Sequence, residues 1–268
     1  MANTVYPNKV IEAKAKDILT TQINARSMMT IDTSLTQNAG MVKTINTYTY
    51  TGAAEEVAAG SGNSTRGSIA YVGKDYTVKM VQQAFDYLDE DFMKDPVIVD
   101  FGIKGATSVM TNDMTSKFYA ALATKNGATE LVKGITFAKG KALSYDVIVD
   151  AISELNLEDE SKVFVVIPNA WKADLRKDAD YKSARQGEVI YNGQVGTICG
   201  IPVVATKALT DKAYVMTNEA VTLFLKKDVE VEQERDADKR KNSVYLRSCY
   251  VCALRDATKA CKITEAAS

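Results

Sequence analysis

Histidine is absent from this 268-residue chain. Its absence removes the usual general base near neutral pH, the commonest metal ligand, and the Ser–His and Cys–His nucleophile pairs. Lysine, tyrosine and carboxylates can still catalyse, so this alone weakens an enzymatic reading without ending it. Also missing are a G-x-G-x-x-G, a G-x-x-x-x-G-K-[ST] and a G-x-S-x-G, and no carboxylate pair marks a convincing site. Cysteine is scarce, at Cys199, Cys249, Cys252 and Cys261. Cys249 and Cys252 make a CxxC, but they fall in residues 242–256, which read as a strand. Residues three apart on a strand point to opposite faces. No second CxxC or histidine pair completes a zinc set, and no helix start follows to depress a thiol pKa. All four cysteines are expected to be reduced, buried thiols.

No stretch approaches the roughly 18 consecutive apolar residues that a membrane helix needs. Residues 1–24 lack the basic, apolar and small-residue succession of a secretory signal. A soluble protein that stays where it is made is expected. An excess of charge is missing as well, with 33 basic residues against 34 acidic ones. Proteins that grip nucleic acid through phosphates normally carry a basic excess. A near-zero net charge also lowers the repulsion between copies, which permits assembly without demonstrating it.

What is present is a 46% hydrophobic chain, enough for one large domain or two modest ones. Asn8 can cap a helix over residues 9–27, with Ile11, Ala15, Ile18, Gln22 and Ala25 along one face. It reads either as an ordinary packed helix or as an arm lying on a neighbour. Residues 45–51 and 69–81 are rich in β-formers and flank a small, glycine-punctuated middle. They form an extended hairpin with little core of its own, marginal unless another chain supports it. Asp95 and Pro96 suit the start of a long helix reaching about residue 124, a rod of roughly 40 Å at 1.5 Å per residue. Its apolar stripe is Ile103, Ala106, Met110, Met114, Phe118 and Ala121. Gly102 and Gly105 either weaken its first half or let something approach closely, and Asn126–Gly127 ends it.

A compact region follows. Ser144 can cap a helix carrying Val147, Ile148, Ala151, Ile152 and Leu155, and residues 163–167 read as a buried strand. A short helix holds Trp171 and Leu175, and residues 176–187 read as an exposed loop. Residues 196–204 form a strand pair around a tight glycine corner, followed by strands at 213–216 and 220–225. The C-terminal part is a hairpin, with strands at 229–233 and 243–256. Its turn, residues 235–241, mixes signs and reads as a solvated loop, with little to favour nucleic-acid contact.

This succession resembles the Hong Kong 97-type fold of tailed-bacteriophage major capsid proteins. The most specific stretch is Ile167–Pro168–Asn169–Ala170–Trp171–Lys172–Ala173–Asp174–Leu175–Arg176–Lys177–Asp178. It is similar to the start of the axial-domain helix in that family. Gly187–Glu188 and then Gly193–Gln194–Val195–Gly196–Thr197–Ile198–Cys199–Gly200–Ile201–Pro202–Val203–Val204 follow, resembling the family's G-x-I-x-G-I-P-V run. Residues 43–56, with "TYTYTGAAEE", resemble its extended loop, and residues 223–256 its terminal hairpin.

The resemblance implies an α+β fold with an N-arm (1–40), an extended β-hairpin loop (41–85), a peripheral domain with a long spine helix (86–139), an axial αβ domain (140–228) and a C-terminal hairpin (229–268) returning to the peripheral domain. It implies a shell-building subunit without catalytic, cofactor-binding or metal-binding residues. Its partners would be itself in hexamers and pentamers, a separate scaffolding protein, a portal, and packaged DNA enclosed without sequence-specific binding; no membrane is involved. It would reside in the virion capsid after assembly in a bacterial cytoplasm. Glu55, Glu56 and Arg66 near the hairpin tip are candidates for contacts between subunits. Some family members cross-link through an extended-loop lysine; residues 52–64 contain none, so no isopeptide bond is expected. The rivals are an encapsulin-type compartment, which shares the fold, and an αβ enzyme built around residues 163–167.

Overall fold

The structure, a computed structural model, describes residues 8–21, 25–37, 39–126, 128–180 and 196–266. The first half contains α1 (Asn8–Thr21), β1 (Thr30–Asp32), β2 (Val42–Thr51), β3 (Ser68–Thr77), β4 (Lys79–Leu88), α2 (Asp89–Lys94) and α3 (Ile98–Leu122). Next come the two-residue strands β5 (Lys125–Asn126) and β6 (Thr129–Glu130), then β7 (Lys133–Phe137), α4 (Tyr145–Glu154), β8 (Val163–Pro168) and α5 (Lys172–Lys177). The remainder is β9 (Gly196–Ile198), β10 (Ile201–Thr206), β11 (Lys212–Thr217), β12 (Val221–Asp236), β13 (Lys241–Leu254) and β14 (Ala260–Glu265).

Two sheets organise these elements. The first has the order β1-β12-β13-β4. Its central hairpin, β12 with β13, was expected as a shorter one beginning at residue 229. Instead β12 runs unbroken from Val221, through register irregularities between Leu225 and Lys227 and between Lys227 and Glu230. The polar run at residues 226–228 looks like a break in sequence, but bulges carry the strand through it. The turn after β12 is more than a solvated loop. Arg235 pairs with Asp89 at 2.7 Å, Arg240 with Glu90 at 2.9 Å and Lys241 with Asp86 at 2.7 Å. Three of the basic residues there are engaged by β4 and α2, and Lys239 pairs with Asp236 inside the turn.

α3 lies across one face of this sheet, and its whole expected stripe is buried. The helix starts later than expected. Asp95 closes α2 and accepts from the Val97 amide at 2.9 Å, leaving Ile98 as the first helical residue. The three acids in the first turn of α2 suit a helix N-terminus, a signal that the reading passed over. Gly102 has a packing reason: a Cβ there would sit 2.4 Å from Cε2 of Phe85. With the Phe85 ring where it stands, only a glycine fits at this point of α3. Gly127 lies outside the described residues. α1 packs beside α3, with Ile11 and Ala15 buried among Val99, Ile103, Val229 and Val231, and Lys14 pairing with Asp100 at 2.8 Å. Its described part packs on its own chain, as the first of the two readings expects. It ends at Thr21, short of the expected 27, and a 3-10 turn follows at Ala25–Met28.

The second sheet has the order β7-β14-β11-β8-β10-β9. The apolar run of β8 sits between β11, antiparallel, and β10, parallel. β7 and β14 were not anticipated; they pair with each other from opposite sides of the compact region. α4 covers this sheet, with Ile148, Ala151 and Ile152 against Val165, Ile167, Leu175 and Ile263. Ser144 precedes α4, but its side chain makes no capping bond. Asp178 accepts from the Tyr145 amide instead, at 3.1 Å. Most of the loop expected at 176–187, and Gly187 to Val195 of the family-like run, lie outside the described residues.

Three cysteines are buried, as expected, and one is not. Cys249 packs with Leu35 and Val78, whereas Cys252 belongs to the core under α3, so the strand does send them to opposite faces. Cys261 is buried under α4. Cys199 is exposed. It shares the turn between β9 and β10 with Gly200, at φ 51° and 79°. A two-residue turn of positive φ projects away from its sheet.

Candidate assembly surface

β2 and β3 form a ribbon of their own, paired from Val42–Thr77 at the root to Thr51–Ser68 at the far end. Directly opposed residues of an antiparallel pair share a face. Tyr48 therefore lies across from Tyr71, and Tyr50 across from Ile69, on one side of the ribbon. All four are about two-thirds exposed or more. Residues 50–71 are exposed throughout. Lone surface apolar residues are ordinary, but four large ones grouped on one face mark a surface meant to be covered.

The ribbon is fastened at its root. Val78 is buried with Leu35, Phe224, Cys249 and Ala253, and its amide donates to the Met41 carbonyl at 2.7 Å. At this residue the chain leaves β3 and enters β4, which pairs with β13 instead. Tyr76 adds a bond from its hydroxyl to the Leu254 carbonyl at 3.3 Å.

The structure does not bring Glu55, Glu56 and Arg66 together as one cluster. Glu55 turns inward across the tip. It accepts from the amides of Ser64 and Thr65 at 2.9 and 2.7 Å and from the Ser64 hydroxyl at 2.5 Å. The Ser64 and Thr65 bonds hold its carboxyl below the usual glutamate range. Glu56 and Arg66 are exposed and make no ion pair among the described residues.

An open recess of about 300 Å³ lies beside the root, lined by Thr77, Lys79, Lys117, Tyr250 and Cys252 among others. Asp113 accepts from the Tyr250 hydroxyl and pairs with Lys117, both at 2.7 Å. Burial pushes the Asp113 carboxyl up, but the bonds from Lys117 and Tyr250 outweigh it and leave the pKa lowered. Burial pushes the Cys252 thiol up to about 12. These groups satisfy one another and present no activated nucleophile beside a base. Among the described residues no group of three or more Cys, Asp or Glu could hold a metal ion, and no helix is long and apolar enough to cross a membrane.

The reading of the sequence expected the hairpin to have an apolar side but did not name its residues, and it missed a second exposed group at the start of α3. Strict alternation at Tyr48, Tyr50, Ile69 and Tyr71 was the available signal for the first. For the second it was a spacing of four at Val97, Phe101 and Val109, with Gly105 between.

No family model matches the chain. It is 25% identical to the major capsid protein of Staphylococcus phage phiMR11, over 98% of this chain and 94% of that protein. Among solved structures, the capsid of Cyanophage P-SCSP1u superposes with a TM-score of 0.67 at 12% identity, over 90% of this chain and 87% of that one. A virus-like particle from Pyrococcus furiosus gives 0.64 at 9% identity, over 95% and 98%.

Proposed function

We infer that this chain, which has the α+β Hong Kong 97-type fold of the tailed-phage capsids, is itself a major capsid protein that builds an icosahedral shell. The observation that carries the reading is the full-length likeness to a phage major capsid protein in a molecule that exposes an unsupported apolar ribbon. Its role is structural. The encapsulin-type reading shares the fold but has less support, because the curated relative is a phage capsid protein.

Function is then geometric. Copies gather as hexamers and pentamers through the axial domain (140–228), while the β2–β3 ribbon of the extended loop (41–85) lies over an adjacent subunit and its β4 end stays in the sheet of its own chain. The peripheral domain (86–139), stiffened by α3, forms the wall, flanked by the N-arm (1–40) and the C-terminal hairpin (229–268). Covering the tyrosine face contributes roughly 25 cal/mol per Å² of apolar area, so strength accumulates from many modest contacts. Glu56 and Arg66 are free to pair with a neighbour; exposed pairs are worth about 0–1 kcal/mol and set register more than stability. Glu55 shapes the tip from within and contributes indirectly. A separate scaffolding protein and a portal complete assembly in the bacterial cytoplasm. The near-neutral shell encloses DNA without reading its sequence, and no cofactor takes part.

Deleting residues 53–64 tests the role of the loop. The expected product is a soluble, folded subunit that forms no closed shells under electron microscopy. Normal particles from the deletion would refute the strapping role. An intact chain that stays monomeric even with its scaffold supplied would overturn the shell reading as a whole.

A further inference from the structure

The tip of the ribbon and its root are opposite in charge. Residues 52–65 carry two charged side chains, Glu55 and Glu56, and no basic one. Glu55 is taken up by Ser64 and Thr65, which leaves Glu56 as the open carboxylate of the tip. Beside it, Val57 is the one large apolar side chain of this stretch, 42% exposed. Arg66 stands farther back, two residues before β3 begins.

The recess of about 300 Å³ lies where the ribbon leaves the body, between Thr77 and Lys79 on one side and the end of α3 on the other. Among the described residues two charged side chains line it, both lysines. Asp113 engages Lys117 at 2.7 Å, whereas Lys79 is exposed and pairs with no acid among the described residues. Ala120, Ala121 and Cys252 give the recess an apolar wall. A chain cannot fill this recess with its own tip. The rungs Val42–Thr77 and Thr51–Ser68 stand roughly 30 Å apart at about 3.3 Å per residue. Glu56 and Val57 adjoin the Glu55 clasp beyond the far rung, which holds them at that end.

We propose that the ribbon tip of one copy docks in the root recess of a second copy, with Glu56 against Lys79 and Val57 against Ala120, Ala121 and Cys252. The match is one to one. An acid-only tip offers one open carboxylate, a lysine-only recess offers one open cation, and each stands beside apolar surface. Such an exposed pair fixes register, while the apolar contact adds burial. Tip and root are different patches, so the contact is heterologous and runs head to tail; it closes into a ring wherever the rotation between copies closes. Tyrosine face against tyrosine face would instead join copies only in pairs. The proposal rests on the shell reading and names the place where an adjacent subunit receives the loop.

The test uses the full-length chain with the exposed Cys199 removed as Cys199→Ser, assembled with its scaffold and oxidised with diamide. Glu56→Cys together with Lys79→Cys should link copies into a ladder that ends at ring size on a non-reducing gel. Either cysteine alone should leave monomers, and a dimer from Glu56→Cys alone would set tip against tip and overturn the proposal. Charge reversal is an independent arm. Glu56→Lys and Lys79→Glu should each lower the yield of closed shells several-fold, and the two in one chain should restore it. Both positions are exposed, so every variant subunit should melt with the parent, and a lost shell is then not a lost fold. A double reversal that restores nothing overturns the proposal. Electron microscopy of the parent chain keeps the two readings apart. Shells that form but yield no ladder from the cysteine pair sink this contact alone, whereas a parent that forms no shells with scaffold supplied sinks the shell reading and the contact with it.

Discussion

A Cβ on Gly102 would lie 2.4 Å from the Phe85 ring, and one on Gly105 would touch nothing. Gly102→Ala is therefore expected to cost about 1–3 kcal/mol by forcing the ring or the helix aside. Gly105→Ala should instead gain up to about 1 kcal/mol from helix propensity. Denaturant midpoints at unchanged slope measure both, and a Gly102→Ala chain as stable as the parent would show that α3 does not press on β4. The cysteines give a second test at this scale. Burial raises the Cys252 thiol to about 12 and the Cys261 thiol to about 11, and Cys249 is buried. In the native subunit at mildly alkaline pH a thiol reagent should therefore label Cys199 alone, and all four cysteines after unfolding. Fast native labelling of Cys249 or Cys252 would contradict their burial. The opposed directions of Cys249 and Cys252 were legible from strand alternation. The exposure of Cys199 was not, because it follows from a positive-φ turn rather than from the residue type.

Among the elements, α3 was the most legible, since a stripe repeating every three or four residues over about five turns has no other reading. Its start was misplaced because Asp95 and Pro96 satisfy the usual signature while Asp95 in fact ends α2 and braces Val97. β7 and β14 escaped notice because each is short and finds its partner far along the chain. The ribbon was legible as a hairpin, but the clasp at its tip was not: Glu55 reaches Ser64 and Thr65 across nine and ten residues. That clasp has a pH signature. The folded pKa of Glu55 is depressed, so its stabilising effect is present above the unfolded glutamate value and lost as pH falls through the lower folded value. The Ser64 and Thr65 amide resonances should titrate together with a midpoint below that of an ordinary glutamate, and Glu55→Gln should abolish the transition. A midpoint at the ordinary value would mean that the clasp does not hold in solution.

At the scale of the whole molecule, the subunit leaves two apolar surfaces uncovered, the tyrosine face of the ribbon and the outward row of α3. If the chain builds a shell as proposed, a neighbouring copy is expected to cover the ribbon. Covalent locking is not expected to add to it. Residues 52–64 carry no lysine, and shells boiled in detergent should run as a single monomer band. A ladder of multimers would show cross-linking through a lysine elsewhere, with Lys43 and Lys74 on the ribbon strands the first to examine.

Local order explains the division between what the residues announced and what they concealed. Helix periodicity, strand alternation and glycine corners are set by neighbours a few positions apart, so the order of elements and the capsid-like succession could be read along the chain. Which strands share a sheet, which glycine meets a ring, where Glu55 bonds and which apolar faces stay open depend on residues brought together from distant parts of the sequence. Those were decided only when the two sheets closed over α1, α3 and α4.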